Sequence, residues 1–195
     1  MDSNKLLQIF ISSVFINNVI LARFLGLCPF VALSKDTKRA LAMSMAVTFV
    51  TTSTSILTWL IYRFFLIPLQ LTYLRTLVFI LIIAAFVQLV EMVIRKKMPV
   101  LYRAFGIYLV LITTNCAVLG LTLFMVMRKY TFTEAVVFGF AGGLGFSLAL
   151  LIMSGIREEL EYADVPEAMK GVGITLVIAG MLALAFMGFA GLLGA

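Results

Sequence analysis

The chain has 195 residues, 63% of them hydrophobic, and a mean hydropathy of +1.15. Only 12% are charged, and they cluster between the apolar runs, which is the composition of a membrane protein rather than a water-soluble domain. The absence of histidine excludes imidazole metal sites and histidine acid–base chemistry, and the net charge of +6 is explained by membrane topology without a nucleic-acid partner.

The first apolar run extends from Leu6 to Phe24 and continues through Cys28 to Leu33. A single crossing needs roughly 20 residues, so this run is too long for one straight helix. Asn17-Asn18 and Gly26 are the expected break points, with a short re-entrant segment after them. The run carries no cleavage site and is expected to be retained. Further spans are predicted over Ala40–Tyr62, Thr76–Ile94, Tyr102–Met127, Phe132–Ile156 and Val172–Leu193. The runs are too long, and alternate too little, for a transmembrane barrel. The expected fold is an all-α integral membrane protein with six transmembrane helices.

Asn18 and Asn115 lie 97 positions apart, and the same shift superimposes the second span on the fifth and the third on the sixth. Residues 1–97 and 98–195 therefore read as two three-helix repeats forming one membrane domain. An odd number of spans per repeat inverts the second against the first, and the first helix of each repeat is expected to be interrupted. Lys5, Arg63, Arg75, Arg128 and Lys129 fall on one side. The larger group, Lys35, Lys38, Arg39, Arg95, Lys96, Lys97, Arg103, Arg157 and Lys170, falls on the other. Positive charge marks the cytoplasmic face, so both termini are expected outside.

Polar groups in hydrocarbon must find partners, which directs attention to a few positions. Cys28 stands between Gly26 and Pro29, and Cys116 follows Asn115. The two cysteines, 88 positions apart, form no zinc or dithiol motif. They fit a disulfide, two small buried hydrophobes, or half of a metal site completed by another chain. Asn17, Asn18, Thr113, Thr114 and Asn115 could hold broken helix ends, join helices or line an ion route. Thr51 to Ser55 and the glycines of 141–145 read as a close helix contact. Arg23, between the asparagine pair and Cys28, either snorkels to a surface or neutralises charge near an anionic cofactor. No phosphate loop or dinucleotide fingerprint is present.

The segments Phe24-Leu25-Gly26-Leu27-Cys28-Pro29-Phe30 and Leu111-Ile112-Thr113-Thr114-Asn115-Cys116-Ala117-Val118-Leu119-Gly120 resemble the RnfA/NqrE family of membrane subunits. Pro99-Val100-Leu101-Tyr102-Arg103 and Ala163-Asp164-Val165-Pro166 extend the resemblance along essentially the whole chain. Asn17-Asn18 and Cys28-Pro29 favour the Rnf branch over the sodium-translocating quinone-reductase branch. The resemblance implies the six-helix inverted repeat and a homologous partner, RnfE, in the opposite orientation. It implies one 2Fe–2S cluster inside the membrane, with Cys28 and Cys116 as this chain's two ligands. Asn17, Asn18, Gly26, Pro29, Thr113, Thr114 and Asn115 would then surround the cluster or an ion path.

The wider expectation is a bacterial inner-membrane complex with RnfB, RnfC, RnfD and RnfG. It passes electrons between ferredoxin and NAD and moves Na⁺ or H⁺. FMN, NAD and other iron–sulfur clusters are expected in the partner subunits. The other classes open to the sequence are a cation-conducting transporter subunit without a redox centre and a structural membrane scaffold.

Overall fold

A computed structural model describes residues 3–68, 72–97, 111–163, 166 and 170–190. Helix α1 (Ser3–Ile11) runs into a π-helical turn, Ser12–Ile16, and stops at Asn17. Short helix α2 (Leu27–Leu33) follows a left-handed Gly26. Helix α3 (Thr37–Ile61) is prolonged by a second π turn, Tyr62–Leu66. A 3-10 turn, Thr72–Leu74, leads into α4 (Arg75–Lys97). After a helical stretch at 111–113, the chain breaks at Thr114-Asn115 and resumes as α5 (Cys116–Met127). Helices α6 (Phe132–Leu160) and α7 (Val172–Ala190) complete the described residues.

Apart from the breaks at 17–26 and 114–115, the expected spans are helical where they are described, and the first is interrupted as anticipated. The opening part of the fourth span, residues 102–110, lies outside the described residues. So do residues 191–193 of the sixth. Thr37–Leu66, Arg75–Val93 and Phe132–Leu160 are each long and apolar enough to cross a bilayer.

Helix α6 is the axis of the molecule. Of its most apolar stretch 61% is buried, against 17% for α4, so α6 is core and α4 is periphery. Its start is fixed by a capping box. Thr131 N–H donates to Glu134 Oε2 at 2.9 Å, and the Thr131 side chain accepts in return. Small residues then let α3 lie against it. A Cβ on Gly143 would stand 2.6 Å from Thr51 Oγ1 and 2.8 Å from Thr48 Cα. The hydroxyls in this contact are mostly satisfied within α3. Thr51, Thr54 and Thr58 donate to the carbonyls of Val47, Val50 and Thr54. Met43, Val47, Leu150 and Met153 fill the interface, each at most 1% exposed. The expectation that Thr51–Ser55 and the glycine stretch make a close helix contact therefore holds.

The two ends of α6 differ in chemistry. At its N-terminal end, Trp59 donates Nε1–H to the Tyr130 carbonyl at 3.0 Å and meets the Phe132 ring edge-on at 5.1 Å. Lys5, Arg128 and Glu134 border a cavity of about 430 Å³ there. At the other end, Lys35, Arg157 and Lys170 border one of about 580 Å³. These cations are grouped as the sequence groups them.

Candidate metal centre

The site is built from two helix breaks. At the first, Asn18 is fully buried, and its Oδ1 accepts the Ile20 N–H at 3.1 Å. Its Nδ2 donates to the carbonyls of Gly145 in α6, at 2.7 Å, and Val14, at 3.2 Å. One side chain thus closes a helix end and ties it to the middle of the axial helix. At the second break, Asn115 caps α5 and its Oδ1 accepts the Ala117 N–H at 3.0 Å. Both asparagines bond the residue two positions on, a local side-chain turn that replaces lost helical bonds. The resemblance is incomplete. Asn115 Nδ2 is buried with no hydrogen-bond partner among the described residues. Asn17 is half-buried and closes the π turn through its N–H to the Ser12 carbonyl at 2.7 Å.

The breaks meet at Gly26. Its φ of +83° is left-handed, and a Cβ there would lie 2.9 Å from Phe146 Cε2, 3.0 Å from Ala117 Cβ and 3.1 Å from Asn115 Oδ1. Only glycine fits both the conformation and the space. Gly26 N–H donates to Cys116 Sγ at 2.9 Å. Cys28 is two residues further on, in the first turn of α2, followed by buried Pro29. Proline is tolerated there because first-turn amides have no helical partner. Cys116 opens α5. Each sulfur is therefore carried in the first turn of a helix, where the peptide dipoles favour negative charge.

The two helices then diverge. The loop that follows α5 meets Trp59 through Tyr130 and leads into the start of α6, while the C-terminal end of α2 is gripped near the end of α6 by Arg157. Arg157 Nη1 donates to the Val31 carbonyl at 2.9 Å and to Ser34 Oγ at 2.7 Å. Since α6 spans roughly 43 Å at 1.5 Å per residue, the pair joins opposite ends of the molecule to its middle. Sequence reasoning used Arg157 only as a topological charge. The missed signal is that seven-residue α2 ends in carbonyls with no cationic residue in its last turn. Arg157→Leu is expected to loosen α2 by about 1.5–3 kcal/mol, the range for a charge-assisted hydrogen bond. Hydrogen exchange across Leu27–Leu33 should accelerate, while exchange in α3 stays as in the native chain.

Both cysteines are free and exposed, so they form neither a disulfide nor a pair of buried small hydrophobes. No group of three or more cysteine, histidine, aspartate or glutamate side chains able to hold a metal occurs among the described residues. Thiols are the donor type that iron–sulfur clusters take, and two are half of the four such a cluster needs. Thr113 is half-buried and Thr114 exposed, each adjoining the second break.

A polytopic helical membrane protein with two exposed cysteines, each in the first turn of a helix that follows a break, is the class that this architecture defines. Residues 6–193 match the family model described as "Rnf-Nqr subunit, membrane protein", and the chain belongs to that family. It is 53% identical over 188 residues to the A-type subunit of the ion-translocating oxidoreductase complex of Syntrophotalea carbinolica, covering 96% of this chain and 97% of the relative. It is 52% identical over 189 residues to the corresponding A-type component of the same-named complex of Shewanella baltica, covering 97% and 98%. The A-type component of the proton-translocating ferredoxin:NAD(+) oxidoreductase complex of Clostridium ljungdahlii is 49% identical over 187 residues, covering 96% and 97%.

Proposed function

We propose that this chain is the A-type membrane subunit of a bacterial inner-membrane, ion-translocating ferredoxin:NAD⁺ oxidoreductase, and that Cys28 and Cys116 hold half of a 2Fe–2S cluster. The observation that carries the reading is the meeting of two helix N-termini at the Gly26–Cys116 hydrogen bond, with both thiols open to a second chain. When bound, such a cluster supplies a one-electron carrier within the membrane. Gly26 orients Cys116 through its N–H, and Asn115 fixes the start of α5. Asn18 anchors the first break to α6, and Arg157 holds the far end of α2. The other two thiolates come from a homologous subunit of the RnfE type. Ferredoxin, NAD and flavin chemistry belongs to other subunits of the complex, and the translocated ion is Na⁺ or H⁺.

In this reading residues 1–97 and 98–195 are two inverted three-helix repeats, six spans in all, with both termini outside. Support comes from the position of the breaks: Asn18 and Asn115, 97 positions apart, each bond the amide two residues on. Helices α4 and α7, starting at Arg75 and Val172, stand in the same relation.

The chain's two cysteines make a direct test. A membrane-permeant maleimide is applied to the intact complex and this subunit's mass is read. No label before iron removal and two labels after it are expected. Two labels on a complex with its full iron content would refute ligation by these thiols.

A further inference from the structure

Arg23 is an exposed cation inside the first apolar run, and no ion pair engages it among the described residues. Its guanidinium lies over the Phe124 ring, 5.1 Å from the centroid. The segment that carries it is laid along α5 against its conformational preference. Phe24 has a φ of +53° and Gly26 one of +83°, both left-handed. Between them Leu25 presses onto α5, where a Cβ on Gly120 would stand 2.6 Å from Leu25 Cδ1. Gly26 then reaches Cys116 Sγ. Residues 23 to 26 thus run antiparallel to α5, with the thiol at one end and the guanidinium at the other. Cys116 and Phe124 are separated by roughly 12 Å of helix at 1.5 Å per residue.

We infer that Arg23 is a positioning charge that raises the reduction potential of the group held by Cys28 and Cys116. This rests on the reading proposed above. A subunit that supplied the two missing thiolates would cover Cys116, and Arg23 is exposed on the same face of α5 that residues 23 to 26 follow. An arginine removed from water at membrane depth needs a counter-charge. One-electron reduction adds one negative charge to the thiolate-bound centre; no bond breaks and no proton moves. Arg23 favours that form. At about 12 Å and an effective dielectric of about 20, the interaction corresponds to roughly a tenfold change in the reduced-to-oxidised ratio. The cation–π contact with Phe124 holds the guanidinium beside that end of the segment.

The test is a mediator-poised redox titration of the 2Fe–2S EPR signal in the intact complex, with dithionite as reductant. Arg23→Gln should keep the iron content but lower the reduced-to-oxidised ratio about tenfold at fixed ambient potential, a fall of about 59 mV for one electron. Arg23→Lys, which retains the charge, should move the ratio by no more than about half of that on a logarithmic scale. An Arg23→Gln midpoint equal to the native one would overturn the inference. If Arg23→Gln fails to assemble, Arg23→Met removes the charge while keeping an unbranched stem over Phe124. Its midpoint should fall likewise, and an unmoved midpoint would equally overturn the inference. Absence of the signal from the native complex, or its survival in Cys116→Ser, would instead refute the cluster assignment and leave Arg23 with nothing to tune.

Discussion

Replacing Cys116 with serine is expected to remove both irons and the 2Fe–2S EPR signal from the intact complex, and Cys28→Ser is expected to do the same. Serine offers a hard, protonated oxygen where the cluster needs a soft thiolate. A site that contributes two ligands has none to spare, so the double variant should lose no more iron than either single one. The fold should survive. Cys116 is exposed, and its hydrogen bond is to the Gly26 N–H, which a serine hydroxyl also accepts. Asn115 continues to cap α5 through Ala117. The change in stability should therefore stay within about 1 kcal/mol, the net worth of one such bond. Iron, acid-labile sulfide and flavin are measured together, so that flavin retention reports an assembled complex. Unchanged iron and spectra would remove Cys116 as a ligand. An ion-conducting subunit or a scaffold would then be the better account of the chain.

Hydropathy made the helices legible. Water-exposed loops and hydrocarbon-buried spans impose opposite demands on composition, and the runs beginning near residues 40, 76, 132 and 172 meet them. The breaks were legible for a related reason. Asn17-Asn18 and Asn115 are costly in an apolar run unless they replace a lost backbone partner, and Asn18 and Asn115 do so. The convergence was not legible from residue pattern alone. Nothing local to Gly26 says that its amide will face a sulfur 90 positions away, because that depends on how two breaks pack on the middle of α6. Arg157 was equally opaque. Its charge fits the positive-inside pattern whether or not it reaches Val31 and Ser34, so the topological role hid the structural one. The exposure of the two thiols also depends on packing. Free cysteine is usually buried, and only the arrangement of α2 and α5 turns these outward.

Gly26→Ala should show how closely the fold and the proposed metal centre are joined. A left-handed φ of +83° costs an alanine about 1–2 kcal/mol. The added methyl would meet Phe146 at 2.9 Å, Ala117 at 3.0 Å and Asn115 at 3.1 Å. Overpacking of this kind costs about 1–3 kcal/mol, for a total of about 2–5 kcal/mol. The neighbours have little room to yield. Phe146 is 1% exposed in the core, Ala117 belongs to the α5 backbone wall, and Asn115 is committed to capping. Relief must come from residues 24–28, which withdraws the Gly26 amide from Cys116 and displaces Cys28 along with it. Thermal stability and cluster occupancy should therefore fall together in Gly26→Ala, whereas Cys116→Ser separates them. Adding Phe146→Leu removes the shortest contact but not the strained φ, so it should recover part of both quantities and not all of either. Retention of full iron with an unaltered spectrum in Gly26→Ala would show that the backbone at Gly26 does not set the sulfur geometry, and the Gly26–Cys116 bond would lose its role in the site.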